Sequence, residues 1–165
     1  MNGTPRLSLP FLSPGQAQKE FTHNEALQIL DAVVAGAALE GPRSDPPVSP
    51  SIGAAYIVGS APTGAWTGNS KCVASYTAGG WRFINPLDGM TLYVKSEGTT
   101  ACFRGGAWEV GLVRGSQVIV NGQQVVGARG SAIVPASGGT TVDVEARAVI
   151  DGILGALREH GLIQA

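Results

Sequence analysis

A chain of 165 residues has room for one domain with an appended arm and for a real hydrophobic core, which excludes a miniprotein held together only by disulfides. Leu, Ile, Val and Phe number 41 and only 14% of residues are charged, while 24 Gly and 10 Pro predict many turns. Eleven basic against twelve acidic side chains leave a net charge of −1, so no basic field exists to release counterions from a phosphate backbone and nucleic acid is not an expected partner; so little charge instead suits a surface partly covered by neighbours, and a homo-oligomer is expected.

Met1 to Phe11 lacks the charged start, apolar stretch and small-residue cleavage site of a signal peptide, and no run of 18 apolar residues follows. Synthesis in the cytoplasm without membrane insertion is therefore expected. Residues 1–13 read as an extended arm or edge strand, with Leu7, Leu9 and Phe11 alternating and Pro10 breaking any helix. Ser13, Pro14 and Gln16 form a helix-start signal, with Ser as N-cap, Pro at the first position and Gln completing a capping box. A helix over 14–38 is predicted, burying one face through Ala17, Phe21, Leu27, Leu30, Val33 or Val34, and Ala37. The run from Gly41 to Pro50 holds four prolines and reads as a stiff extended linker.

Residues 53–110 have β character and contain an internal repeat. Tyr76-Thr-Ala-Gly-Gly-Trp81 and Phe103-Arg-Gly-Gly-Ala-Trp108 share the pattern aromatic-x-x-Gly-small-Trp, and upstream Gly53-Ala-Ala-Tyr56-Ile57-Val58 parallels Gly89-Met-Thr-Leu-Tyr93-Val94. Each unit predicts a strand, a loop and a hairpin whose glycines supply positive φ; the first carries an extra loop holding Trp66. Two copies suggest a small antiparallel sheet rather than a solenoid. Cys72 and Cys102 fall on opposite faces if Tyr76 and Phe103 are equivalent, which predicts free thiols.

Three short runs follow, Val118–Val120, Val125–Val126 and Ala132–Val134, with Asn121-Gly122 as a type I′ hairpin signal. A second helix is predicted over 142–159, started by Thr140 with Asp143 and stopped at Gly161. Its residues Ala146, Ile150, Ile153 and Leu157 are spaced four, three, four, an a/d seam that serves either association or packing on its own domain. The fold class is thus α+β, divided into an N-terminal arm, helix and linker (1–50), an aromatic-rich β domain (51–135) and a C-terminal helical segment (136–165).

No catalytic seat is visible. His23 and His160 stand far apart without a Ser, Cys or Asp partner pattern, and GxSxG, HExxH, P-loop and post-strand GxGxxG motifs are absent. Asp88, Glu97 and Glu109 are ordinary turn or edge carboxylates, so no enzyme, cofactor or metal is expected. The aromatics are more informative. Trp66, Trp81 and Trp108, with Tyr56, Tyr76 and Tyr93, crowd one β region, and such rings stack on sugars, anchor interfaces or plug a core. Trp81 and Trp108, at equivalent positions, suit a core plug or a ligand face, whereas Trp66 in a turn-rich insertion is expected exposed. Arg82 and Arg104, beside these turns, can hold hydroxyls or anions through the guanidinium fork. Trp66, Trp81, Arg82, Arg104 and Trp108 are therefore the candidate glycan-binding set.

The block from Thr4 to Glu20, continuing through Thr22-His-Asn-Glu-Ala-Leu to Leu30-Asp31-Ala32, resembles the opening of an uncharacterised family found in tailed phages, prophages and gene transfer agents of alphaproteobacteria. The likeness continues through Ala55-Tyr-Ile-Val-Gly, Thr63-Gly-Ala-Trp-Thr-Gly, Gly79-Gly-Trp-Arg-Phe and the ending His160-Gly-Leu-Ile. The resemblance implies a virion accessory part such as a capsid-vertex component, spike or fibre, in contact with other capsid or tail proteins and with host polysaccharide or lipopolysaccharide. It supplies no catalytic set. With 165 residues the chain is expected to make any glycan contact itself or leave it to another protein.

Overall fold

The computed structural model describes residues 4–7, 9–12 and 19–164. The predicted capping box at Ser13–Gln16 and the helix position of Ala17 lie outside the described residues. Helix α1 spans Lys19–Val34 and ends earlier than the expected residue 38. Gly36 takes φ 54° and donates its amide to the Val33 carbonyl, a left-handed stop that only glycine adopts without strain. The helix does not bury the expected face: Phe21 and Leu30 are exposed, and Asp31 and Ala32 are buried instead. Asp31 is the reason. Its carboxylate accepts from Thr4 Oγ1 (2.7 Å) and from the amides of Arg6 (3.0 Å) and Leu7 (2.5 Å). Residues 5–7 are therefore a turn wrapped on this carboxylate and not the extended arm that the alternation predicts. Arg6 completes the join by donating to the carbonyls of Ala32 and Ala37, where the helix dipole and orphan carbonyls favour a cation.

After Gly36 the chain enters β1 (Ala37–Ala38), then β2 (Ala55–Ile57), β3 (Val73–Thr77), β4 (Gly80–Ile84), β5 (Thr91–Val94), β6 (Thr99–Arg104) and β7 (Ala107–Val110). One antiparallel sheet has the order β2-β3-β4, and a second has the order β1-β5-β6-β7 with β1 parallel to β5. The predicted repeat is present in the hydrogen bonds. Gly53 donates to Tyr76 O and Gly89 to Phe103 O, while Tyr76 donates to Ala54 O and Phe103 to Met90 O. Tyr76 lies opposite Trp81, and Phe103 opposite Trp108. Gly53 and Gly89 also share positive φ, 86° and 90°. The hairpin turns differ: Gly105 and Gly106 both take positive φ, whereas in the first hairpin it falls on Gly80.

The two copies do not form a single sheet. They make two sheets stacked head to tail, because each repeat unit cannot cover its own apolar face. In the second sheet the face made by Met90, Leu92, Val94, Ala101, Trp108 and Val110 packs on Ala55, Ile57, Val73 and Ile84 of the first. The equivalent residues of the first sheet are Ala54, Tyr56, Val58, Ala74, Trp81 and Phe83, and they pack instead around Trp66. The stack is Trp66 insertion, first sheet, second sheet. Residues 37–43 sew the edges together: Lys95 donates to Ala38 O, then Leu39 to Ala55 O and Arg43 to Ile57 O.

The chain forms two compact units, Met1–Leu112 and Val113–Ala165. The second contains the hairpin β8 (Val118–Val120) and β9 (Gln123–Val126), and helix α2 (Val144–Glu159). Asn121 and Gly122 take φ 49° and 78°, as a type I′ turn requires. The expected strand at Ala132–Val134 does not form; the adjoining Gly130 instead makes a parallel bridge with Ile163, and the Ile133 carbonyl accepts from Arg158. The cap of α2 is Asp143 itself, which accepts from the Ala146 amide at 2.8 Å, and not Thr140. At the other end Gly161 donates to Arg158 O and Leu162 to Leu157 O, the paired bonds of a Schellman stop at the predicted glycine. Two helices and antiparallel sheets make the fold α+β.

Candidate functional site

The five sequence-selected residues do not form one site: only Trp66 and Trp81 share a cluster. Trp66 sits in a 3-10 turn, Gly64–Trp66, and is fully buried although the loop around it is mostly exposed, which corrects the expectation that Trp66 is exposed. The insertion between β2 and β3 faces an uncovered apolar sheet, and closing over it withdraws more apolar area from water than a free loop would. The Trp66 ring lies 5.7 Å from Tyr56 and 5.2 Å from Trp81, the latter at 84°. Its Nε1 has no hydrogen-bond partner among the described residues, and the near-perpendicular Trp81 ring is its neighbour. Trp81 is half-buried in the same cluster and also contacts Tyr76 at 4.9 Å. Arg43 closes the outside of the cluster, 5.9 Å over the Tyr56 ring and paired with Glu40 and Asp45.

Arg82 does not present a free fork. Its Nε and Nη2 donate to the two Glu25 oxygens at 2.7 and 2.8 Å, tying α1 to the first sheet. That hydrogen bond holds the Glu25 carboxyl below the usual carboxylate range. Arg104 lies at the exposed end of β6, 3.8 Å from Glu109. Cys72 and Cys102 are free thiols; burial pushes the Cys72 thiol up, and its sulfur lies 3.1 Å from Asn85 Oδ1.

Trp108 is the tryptophan of the set that lines an open depression. The second repeat has no insertion to cover it, so its half-buried indole extends across to the first repeat's loop and donates from Nε1 to the Lys71 carbonyl at 2.8 Å. Beside it is a shallow depression of about 160 Å³, lined by Pro42, Val58, Gly59, Ser60, Lys71, Ala107 and Trp108. Lys71 has φ 64°, a left-handed conformation uncommon for a residue with a side chain. Its amide is held by Gly59 O and the Ser60 carbonyl by Ser70 Oγ. Gly59 approaches the Arg43 backbone so closely that a Cβ would lie 3.2 Å from it, which fixes this wall.

The residues lining the depression include one that carries an indole, one that carries an ammonium and one that carries a hydroxyl. It is smaller than the roughly 300 Å³ at which enclosed small-molecule pockets begin, so it suits one face of a ring-shaped polar group and not an engulfed ligand. Lys71, Ser60 and Pro42 carry no sequence signal for this role. Asn69-Ser70-Lys71 reads as a polar loop, and its nearness to Trp108 arises only when the second sheet stacks on the first. No group of three or more His, Cys, Asp or Glu side chains suited to a metal ion occurs among the described residues, and no helix is long and apolar enough to cross a membrane.

No curated protein matches this chain. A family model does match, over residues 23–109, which takes in most of α1 and both stacked repeats and exceeds half of the chain. The chain belongs to the family described as Protein of unknown function (DUF2793).

Proposed function

We propose that this chain is a non-enzymatic accessory protein of a phage-like particle that contacts host cell-surface polysaccharide or lipopolysaccharide, with the Trp108–Lys71 depression as the contact. The particle setting rests on the resemblance of the Thr4–Ala32 block to proteins of tailed phages and gene transfer agents. The glycan reading rests on a single observation: Trp108 lines an open depression beside Lys71 and Ser60. An indole face packs against sugar C–H groups, an ammonium attracts the carboxylates or phosphates of acidic surface polymers, and a hydroxyl exchanges hydrogen bonds with ring substituents. Affinity per site is modest in so shallow a platform, and many copies on one particle raise it through effective concentration.

A second reading is a structural decoration or adaptor without a ligand. It is favoured by the burial of Trp66 and by the Arg82 fork being filled by Glu25.

Binding of the purified chain to a glycan array and to lipopolysaccharide separates the two. On the glycan reading, wild type binds acidic glycans, Trp108→Ala loses about tenfold or more, and Lys71→Asn, which removes the charge but tolerates the left-handed backbone, weakens binding in a salt-dependent way. Wild type that binds nothing on either surface leaves the adaptor. Release of reducing ends from bound polysaccharide would overturn the non-enzymatic part.

A further inference from the structure

The unit Val113–Ala165 has too little core to hold itself. Among its described residues only Leu154 and Ile163 are buried apolar side chains. All seven residues of β8 and β9 are exposed, so neither face of the hairpin is covered, and a lone two-stranded hairpin is marginal in water. The segment has no cysteine for a disulfide and, among the described residues, no cluster of metal-ligating side chains. Of the devices that stabilise a unit this small, association is the one its residues supply.

Helix α2 shows where. Its polar side is fastened to its own unit: Arg158 donates to Ile133 O, and Arg147 to Ala136 O and Gly138 O. Leu154 turns inward beside them at 5% exposure, whereas Ile150, Ile153 and Val149, on the adjoining side, are 43%, 55% and 63% exposed. Ile150 and Ile153 form the four-three-four stripe with Ala146 and Leu157, Val149 flanks it, and none of these residues is charged. The unit's charges are four Arg against Asp143, Glu145, Asp151 and Glu159, so two copies meet without net repulsion.

We infer that the apolar stripe of α2, with the exposed β8–β9 hairpin, is a self-association surface occupied by the same unit of another copy of this chain. Eight Val and Ile side chains of this surface, three on α2 and five on the hairpin, are exposed by 43% or more, an apolar centre for the roughly 800 Å² that one partner gives to a standard-size interface. A stripe with a/d spacing complements an identical stripe, and closed symmetric association of like chains is the common outcome. The inference is independent of the glycan reading.

Sedimentation equilibrium of the full chain, from low to high micromolar concentration, tests it together with the double variant Ile150→Asp/Ile153→Asp. Wild type is expected at an integer multiple of 16.8 kDa, and the variant to shift at least about a hundredfold in association constant toward monomer. Trp fluorescence, which arises wholly in Met1–Leu112, is expected to stay unchanged. Hydrogen exchange on wild type gives a readout free of mutation: protection of amides 118–126 and 144–159 should rise with concentration. Wild type that remains at 16.8 kDa, a variant that associates as tightly as wild type, or protection that is independent of concentration would each overturn the proposal.

Discussion

The two stacked repeats share their hairpin pattern and their hydrogen bonds, yet their equivalent faces meet different partners. In the first, the face holding Tyr56 and Trp81 is sealed by Trp66 from the chain's own insertion. In the second, the face holding Leu92 and Trp108 is sealed by the first repeat. The reverse faces diverge in the same sense. Ala55, Ile57 and Val73 are apolar and buried, whereas their counterparts Thr91, Tyr93 and Thr100 are exposed. The second repeat thus ends the stack with a polar side, as a terminal repeat must. Equal local sequence fixes how a hairpin closes, while what lies above it decides which neighbours its half-buried tryptophan meets.

The contrast can be broken most severely at the plug. Trp66→Ala removes a fully buried indole and is expected to cost about 3–5 kcal/mol in urea unfolding. A loss under about 1 kcal/mol would mean that the insertion does not seal the first sheet. Next is the layer between the sheets: Ile57→Ala, also fully buried, should cost about 2–5 kcal/mol and loosen both repeats together, because its side chain belongs to the core they share. Separate unfolding of the two repeats in hydrogen exchange would argue against head-to-tail stacking.

Trp108→Phe sharpens the comparison from the surface side. It keeps an aromatic ring against Phe103 but deletes the donor to the Lys71 carbonyl, for a cost of about 1 kcal/mol. Exchange at Lys71 and its neighbours should speed up while the Trp66 cluster is unaffected. The smallest effect concerns the tie from α1. The folded-state pKa of Glu25 is lowered by Arg82, so the pair's contribution is fully present above the unfolded carboxylate range and is lost as pH falls through the lowered value. Both side chains are about a third exposed or more, so Glu25→Gln is expected to change stability at neutral pH by well under about 1 kcal/mol. The wild-type advantage over this variant should vanish once the pH has fallen below that lowered value.

Much of the local architecture was legible because short-range chemistry writes it. Asn121-Gly122, the Gly105-Gly106 turn and the Gly161 stop are positions where φ must be positive, and the five-residue offset between aromatic and Trp is the distance that puts two residues opposite each other across a tight hairpin. Where expectation and structure part, a long-range contact has won. α1 ends at Gly36 because Ala37 and Ala38 pair with Tyr93 and Val94, and the arm turns because Asp31 gathers the donors of Thr4, Arg6 and Leu7. Of the candidate site, Trp108 was legible as an aromatic at a repeat position. Lys71 and Ser60 were not, since they lie across a sheet interface from it.

The amino-acid sequence by itself determined the repeat, the turns that close it, the α+β class and the shortage of charge, all of which depend on residues close in the chain or on composition alone. Only the tertiary structure decided that Trp66 is sealed, that Arg82 is engaged and that Trp108 meets Lys71. Burial is a property of what covers a face, and here the covering comes from another repeat or from an insertion whose landing place no local pattern specifies.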